Sequence, residues 1–353
     1  MSFTCVTIEG GLLAPDLLEV IADAEGQKPS DFGIEGRRTL VDEVSSVWSD
    51  VRSYWDAFNR RLARTSGESR TTITREQWVL PLLEAIGYKD LTYQQAAASV
   101  DGRTYAISHR TGDSEEDLPV HIVAIDQDLG TRPPSGRGTM SPHALIQDYL
   151  NRGEHLWGVV TNGSTLRLLR DSSYLTRISY VEFDLQQMLE GERLDEFLLL
   201  YRLVHRTRLP RTQDDGPKCL LETYHQQGIE QGGRIREGLR EAVERSILLL
   251  GSGFLKHPRN DDLREGVRSG QVTPQSIYQQ LLHLIYRLLF LMVAEERRLL
   301  TMPGDDSAGR FYFTIRRLRD LADLPLGSPE RFDDLYLNLR ALCFALCRSS
   351  RIG

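Results

Sequence analysis

The stretch Leu156-Trp157-Gly158-Val159-Val160-Thr161-Asn162-Gly163-Ser164-Thr165-Leu166-Arg167-Leu168-Leu169-Arg170-Asp171 decides the fold class. Leu156 to Thr161 and Thr165 to Leu169 are short runs rich in Val, Leu and Thr, the composition of strands. Asn162-Gly163 between them predicts a tight hairpin, because both residues tolerate positive φ. Working outward, Ile178 to Phe183 reads as a further strand. Upstream, Thr104 to Ser108 and Val120 to Ile125 read the same way. Pro142 to Arg152 reads as a helix behind the Gly/Pro-rich loop Gly130 to Gly138. Strands preceded and interrupted by helices predict an α/β unit of ordinary domain size.

On the N-terminal side, Leu12 to Leu62 predicts mostly helix. Val44, Val47, Trp48, Val51, Trp55, Phe58 and Leu62 fall on one face of the segment Thr39 to Arg64. A Ser/Thr/Gly turn follows at Thr65 to Thr71. Thr74-Arg75-Glu76-Gln77 then has the spacing of a capping box, with Trp78, Leu82, Leu83 and Ile86 as the apolar face behind it and Gly87 as the stop. After Asp184 the strand pattern ends. Leu194 to His205 is apolar and helical, and a Pro/Asp/Gly linker spans Leu209 to Pro217. Long helices are expected at Leu220 to Gly251 (with a break near Gly232-Gly233), Pro274 to Leu300, Phe311 to Leu321 and Phe332 to Cys347. The expected division is an N-terminal helical segment over 1–70, an α/β domain over 71–208 and an all-α helical domain over 209–353.

Composition narrows the class. The 353 residues are 40% hydrophobic and 26% charged, which excludes a disordered or collagen-like chain. A net charge of -7 excludes a protein that coats nucleic acid through its total charge and leaves only a local basic face for that purpose. Cys5, Cys219, Cys343 and Cys347 are too few and too scattered for a disulfide framework. The first 18 residues lack the basic region and apolar core of a signal peptide. His283, Arg287, Glu295 and Glu296 interrupt the apolar stretch from Ile277 to Leu300, so a buried helix facing inward through Leu281, Leu284, Ile285, Leu288, Leu289 and Met292 is expected there, with no membrane partner. A cytoplasmic location with reduced thiols follows as the expectation. No dinucleotide-binding glycine fingerprint, P-loop, nucleophile elbow or Asn/Asp-Pro-Pro-Tyr methylase motif occurs.

Helix followed by sheet is compatible with a magnesium-dependent nuclease core of the PD-(D/E)xK type. Such a site needs carboxylates on adjacent strands to hold Mg²⁺ against a phosphate and a lysine two residues after the second carboxylate. Val120 to Ile125 leads into Asp126-Gln127-Asp128. Asp126 is the candidate metal ligand, Asp128 stands where the lysine would be, and Glu84 can add a third carboxylate. The preceding strand ends in Ser108-His109-Arg110, without an aspartate. His109 and His121 lie on two strands but lack a third ligand. Cys343 and Cys347, four apart on a helix, read as core thiols. Arg202, Arg206, Arg208 and Arg211 offer guanidinium forks that match phosphate geometry, making them the DNA-binding candidates. They read equally as the solvated basic end of a helix.

Five segments together resemble one family. Thr74 to Tyr88 (TREQWVLPLLEAIGY) looks like the opening of the nuclease-like region in large single-chain restriction–modification proteins. Ser141 to Arg152 (SPHALIQDYLNR) and Leu156 to Gly163 (LWGVVTNG), with Leu166 to Asp171 behind them, continue the likeness. Tyr286 to Arg297 (YRLLFLMVAEER) resembles the helical connector ahead of the methylase domain. The resemblance implies a degenerate PD-(D/E)xK-type nuclease-like domain followed by a helical domain, from a type IIG restriction–modification protein or a related anti-phage adenine-specific DNA methylase. It implies DNA and a methylase or specificity domain or subunit as partners. It also implies that S-adenosylmethionine enters only through a methylase domain this chain lacks, so a longer parent protein is expected. Two departures accompany it: no methylase motif, and no carboxylate-x-lysine signature. The leading expectation is a DNA-associated module without catalysis of its own. The alternatives are an active Mg²⁺-dependent endonuclease using Glu84, Asp126 and Asp128, and a protein-docking scaffold.

Overall fold

Strand β7 (Trp157–Thr161) is buried on both faces along its whole length, and the sheet is built outward from it. Trp157 and Val159 enter one hydrophobic core and Val160 the other, as the two-residue period of a strand requires. The computed structural model describes residues 3–64, 69–133, 140–172, 178–297, 315–322, 336–337 and 339–341. Strand β8 (Thr165–Arg170) returns antiparallel to β7, with Thr161 opposite Leu166 and Trp157 opposite Arg170. The expected hairpin forms, but its two residues divide the work. Gly163 alone takes a left-handed φ, of 86°. Asn162 instead turns its side-chain carbonyl onto the N–H groups of Ser164 (3.1 Å) and Thr165 (2.8 Å).

Strand β9 (Tyr180–Asp184) continues the meander, and β1 (Val6–Glu9) pairs with it antiparallel. On the other side, β6 (Pro119–Ile122) lies parallel to β7, with Val120 opposite Val159. Helix α5 (Pro142–Arg152) lies between β6 and β7 in sequence, as a parallel step requires. Ser141 caps it by accepting from the Ala144 N–H at 3.2 Å. Strands β5 (His109–Thr111) and β2 (Leu91–Tyr93) extend the sheet antiparallel, giving the order β1-β9-β8-β7-β6-β5-β2.

One face of the sheet carries α2 (Leu40–Arg64), the helical run from α3 (Arg70–Thr74) to α4 (Leu80–Ala85), and α7 (Leu194–Val204). The apolar positions read on α2 are buried there, Val44 through Phe58, against Trp78, Leu82 and Leu83. The other face carries α5 and a small hairpin of β3 (Ala98–Val100) and β4 (Arg103–Tyr105) around Ile146, Tyr149, Val160 and Leu169.

Several expectations are corrected. Of the strand expected over Thr104 to Ser108, only Thr104 and Tyr105 are extended, in β4 (Arg103–Tyr105), and the next strand, β5, starts at His109. Asp101-Gly102, both with positive φ (49° and 72°), folds β4 back onto β3. Thr74 is not a cap. The helix begins at Arg70, Thr74 is fully buried within it, and its hydroxyl accepts from the Ile125 N–H at 3.1 Å. Residues Arg75–Val79 widen into a π-helical stretch before Pro81. A proline lacks the N–H for a regular helical bond, and its ring crowds the preceding turn.

The expected N-terminal segment 1–70 is not separate either. Its β1 strand is part of the sheet, and Glu196, fully buried, accepts from the N–H groups of Thr4 (3.1 Å) and Cys5 (2.6 Å). Nor does the first unit end at 208. Arg170 makes a two-pronged ion pair with Glu222 (2.8 Å on both prongs), and His225 bonds the Leu12 carbonyl at 2.6 Å. The chain divides instead into Met1–Gly233 and Arg234–Gly353.

That division falls inside α8 (Leu220–Lys256), which is continuous through Gly232-Gly233. An interior glycine costs about 1 kcal/mol relative to alanine, too little to break a helix of this length. The second unit is helical among its described residues. It contains α9 (Asp261–Arg268), α10 (Pro274–Glu296) and α11 (Ile315–Ala322), the last with its Ile315 N–H bonded to Glu295 at 2.7 Å. Most of the helix expected over Phe332 to Cys347, with Cys343 and Cys347, lies outside the described residues.

Candidate functional site

The place to look for nuclease chemistry is the adjacent pair β5 and β6. The residues there are Ser108, His109 and His121. The Ser108 hydroxyl accepts from the Ile122 N–H (2.7 Å) and lies 2.9 Å from His109 Nδ1. The Ser108 N–H donates to His121 Nδ1 at 3.3 Å. His109 packs edge-on against Tyr93, over whose ring the Arg75 guanidinium lies at 4.8 Å. Burial pushes His121 down to about 4, and burial followed by the charges of Arg75 and His121 does the same to His109. Both rings are therefore neutral near pH 7. The pair is a packed, internally bonded joint between strands and has no carboxylate in it.

The three candidate carboxylates do not converge. Asp126 is exposed beyond the end of β6 and pairs with Arg70 at 3.3 Å. Glu84 is exposed near the other end of the same helical run, 14 residues or roughly 20 Å along its axis from Arg70. Asp128 is exposed and accepts from the Gly130 N–H at 2.8 Å; the Thr131 hydroxyl and these loop amides hold its carboxyl below the usual range. Among the described residues no group of three His, Cys, Asp or Glu side chains is placed to hold a metal ion.

The four candidate arginines do not form one edge. Arg202 is buried and donates to Gln27 Oε1 at 3.0 Å. Arg208 is buried over the Phe32 ring and donates to the Gly26 and Asp31 carbonyls. Arg206 reaches the Pro210 carbonyl (3.1 Å) and Thr111 Oγ1 (3.2 Å) and covers Tyr88. Only Arg211 is exposed. The first three tie loops together, and a phosphate outside the fold does not reach the buried pair.

Sequence reading also passed over several features. Arg110 is fully buried and donates to the Asp117 carbonyl (2.9 Å) and the Tyr149 hydroxyl (2.8 Å). Arg167 bonds Glu182 at 2.5 Å and lies over Tyr180, beside His143, whose Nε2 is buried without a partner. Arg110 lies in a strand buried at every position and Arg167 takes a half-buried position between buried Leu166 and Leu168, so alternation alone signals neither. Within the second unit, Leu250, Phe254, Leu284, Leu288 and Met292 line a cavity of about 1070 Å³.

The inward face expected on α10 holds at Leu281 and Ile285, with Leu284, Leu288 and Leu289 half-buried, and fails at Met292, which is exposed. Leu281, Ile285, Leu291 and Ala294 are buried, while Tyr278, Tyr286, Phe290 and Val293 stand exposed on another side. By length and mean hydropathy, α10 is apolar enough to cross a membrane.

Comparison with known proteins adds no relative: no family model matches the sequence, and no curated protein and no solved structure matches it.

The buried histidines set a pH dependence. His109, His121, His143, His155 and His205 are all pushed to about 4, in each case first by burial. In the unfolded chain they titrate near 6.5. As pH falls below about 6.5 the unfolded state takes up protons that the folded state refuses, so stability falls until about pH 4. Each ring contributes about 1 kcal/mol per pH unit in that window. Urea unfolding at pH 7.5, 6 and 5 should show a clear drop in midpoint at each step; an unchanged midpoint from pH 7.5 to 5 contradicts the burial assigned to these rings.

Proposed function

We propose that the chain is a DNA-associated module of a restriction–modification or phage-defence DNA methylase system, with a nuclease-like frame that does not cleave. One observation carries this reading. The helical run α3–α4 leads into strands β2, β5 and β6, then α5, then β7 parallel to β6, an order compatible with the helix-then-sheet plan expected of a degenerate PD-(D/E)xK core. The two strands that would present the metal carboxylates carry Ser108, His109 and His121 instead. On this reading DNA is the partner, a separate methylase or specificity unit supplies any S-adenosylmethionine chemistry, and the setting is cytoplasmic. Mg²⁺ has no assigned role in this chain. Incubation of the protein with supercoiled plasmid and about 10 mM Mg²⁺ or Mn²⁺, ions that carboxylate sites hold, should leave the plasmid intact. Metal-dependent nicking that disappears in Asp126→Asn would instead establish the endonuclease alternative.

The exposed side of α10 supports a second reading, a protein-docking scaffold. Tyr278, Tyr286, Phe290 and Val293 recur at helical spacing with half or more of each residue exposed. An apolar patch of this kind marks a contact surface on a soluble protein. Sedimentation velocity of the purified chain, alone and with a co-expressed methylase subunit, should show association that Tyr286→Glu/Phe290→Glu removes. A parent chain that sediments as a monomer and binds no such subunit rules this reading out.

A further inference from the structure

The segment from Arg60 to Arg75 holds five arginines, at 60, 61, 64, 70 and 75, and one acidic residue, Glu68, in a chain whose net charge is -7. Folding brings this sequence cluster to one place. Arg60, Arg61 and Arg64 are exposed in the last turns of α2, and Arg70 opens α3 a few residues later. Two contacts fix where this tip lies. Arg70 pairs with Asp126 at 3.3 Å, and the Thr74 hydroxyl accepts from the Ile125 N–H at 3.1 Å. Arg70 therefore stands beside the segment that leaves β6, at the carboxyl end of the parallel pair β6 and β7, and α2, which carries Arg60, Arg61 and Arg64, packs on α3. In open α/β sheets, ligands gather at this end of the strands.

A structural explanation covers part of the cluster. Cations in the last turn of α2 complement its dipole and its free carbonyls. That explanation fails for Arg70. It sits at the amino end of the next helical run, where the dipole opposes a positive charge, and its side chain is 59% exposed. Arg75, one turn further, is held over Tyr93 and bonded to Glu76 at 2.9 Å, so it is a fixed charge and not a roaming one.

We infer that the tip formed by Arg60, Arg64 and Arg70 is a phosphate-contacting surface for duplex DNA. This rests on the reading of the chain as a DNA-associated module, and it supplies the surface that Arg202, Arg206 and Arg208 cannot. Guanidinium groups meet phosphate oxygens through paired N–H donors and carry no base information, so the surface fits backbone of any sequence. Asp126 is its internal competitor: its carboxylate holds Arg70 until a phosphate displaces it.

Fluorescence anisotropy of a labelled 20-base-pair duplex (two turns, roughly the span of one interface), titrated with the full chain across a salt series, tests this. The parent should bind with an affinity that falls steeply with salt. Arg60→Gln/Arg64→Gln/Arg70→Gln should bind at least tenfold more weakly at low salt, with the slope of log K on log salt reduced by about 0.9 for each phosphate that is no longer neutralised. Asp126→Asn should bind several-fold more tightly, because it frees Arg70. A metal-bridging role for Asp126 predicts the opposite sign. Arg236→Gln/Arg240→Gln, exposed arginines of α8, should change nothing. If the parent binds and the triple variant binds equally well with the same slope, the surface is wrong while the DNA reading stands. If the parent does not bind at low salt, both fall. Tighter binding to single-stranded RNA of equal length also overturns the assignment to duplex DNA.

Discussion

The indole of Trp78 lies against the backbone of Gly163, and the rest of the first unit depends on that contact. Trp78 is fully buried, donates from Nε1 to the Gly163 carbonyl at 2.6 Å, and has Trp55 at 5.0 Å and Phe58 at 6.4 Å between ring centroids. A Cβ on Gly163 would fall 2.7 Å from Trp78 Cδ1, so glycine is required there for space as well as for its φ. Through this one side chain the helical run α3–α4 grips the β7–β8 hairpin at the centre of the sheet, while α2 closes over its other side. Burying an indole removes about 200 Å² from water, worth about 5 kcal/mol. That is comparable to the whole net stability of a typical domain. The hydrogen bond adds direction: it fixes which turn of the helix meets which residue of the hairpin.

Both partners of this contact were legible in the sequence. Trp78 stood on an apolar helical face, and Gly163 sat in a turn between two strand-like runs. Helix α5 was legible to the residue, because Ser141-Pro142 marks its start chemically. The stripe on α2 was legible because its period is long and unbroken. What was missed is short or paired at a distance. Strands β1, β2 and β3 have three or four residues each and acquire their identity only from the strand they pair with. Asp101-Gly102 was a readable hairpin signal that the apolar run after it obscured. The capping-box pattern at Thr74 misled because a threonine hydroxyl inside a helix and one at its start look alike in sequence; the partner that decides between them, the Ile125 N–H, is 51 residues away.

Candidate chemistry was less legible than fold, for one reason. Sequence gives residue type and spacing, whereas a site needs convergence. Asp126 and Glu84 have suitable chemistry and lie toward opposite ends of one helical run. Arg202 and Arg208 sit in an arginine-rich stretch that looks solvated, yet one turns to Gln27 and the other to two carbonyls of an N-terminal loop. An arginine can be buried when its donors are all spent on fixed acceptors, and nothing local in sequence reveals those acceptors. The tip at Arg60 to Arg75 shows the converse. Its arginines are close in sequence, and they stand on the end of α2 and the start of α3, two helices packed on each other. On the reading proposed, the frame keeps the place where DNA would lie while the metal-holding groups are replaced by a neutral serine–histidine joint.

The central claim of the proposed reading is that this frame holds no catalytic metal. Electron paramagnetic resonance of Mn²⁺, titrated into the full chain with and without duplex DNA at pH 7.5 (about one unit above the histidine range), tests it most directly. The account predicts that the free-ion signal grows in step with added Mn²⁺ and that Asp126→Asn leaves the titration unchanged. A stoichiometric site that suppresses the signal, and that Asp126→Asn removes, would contradict it.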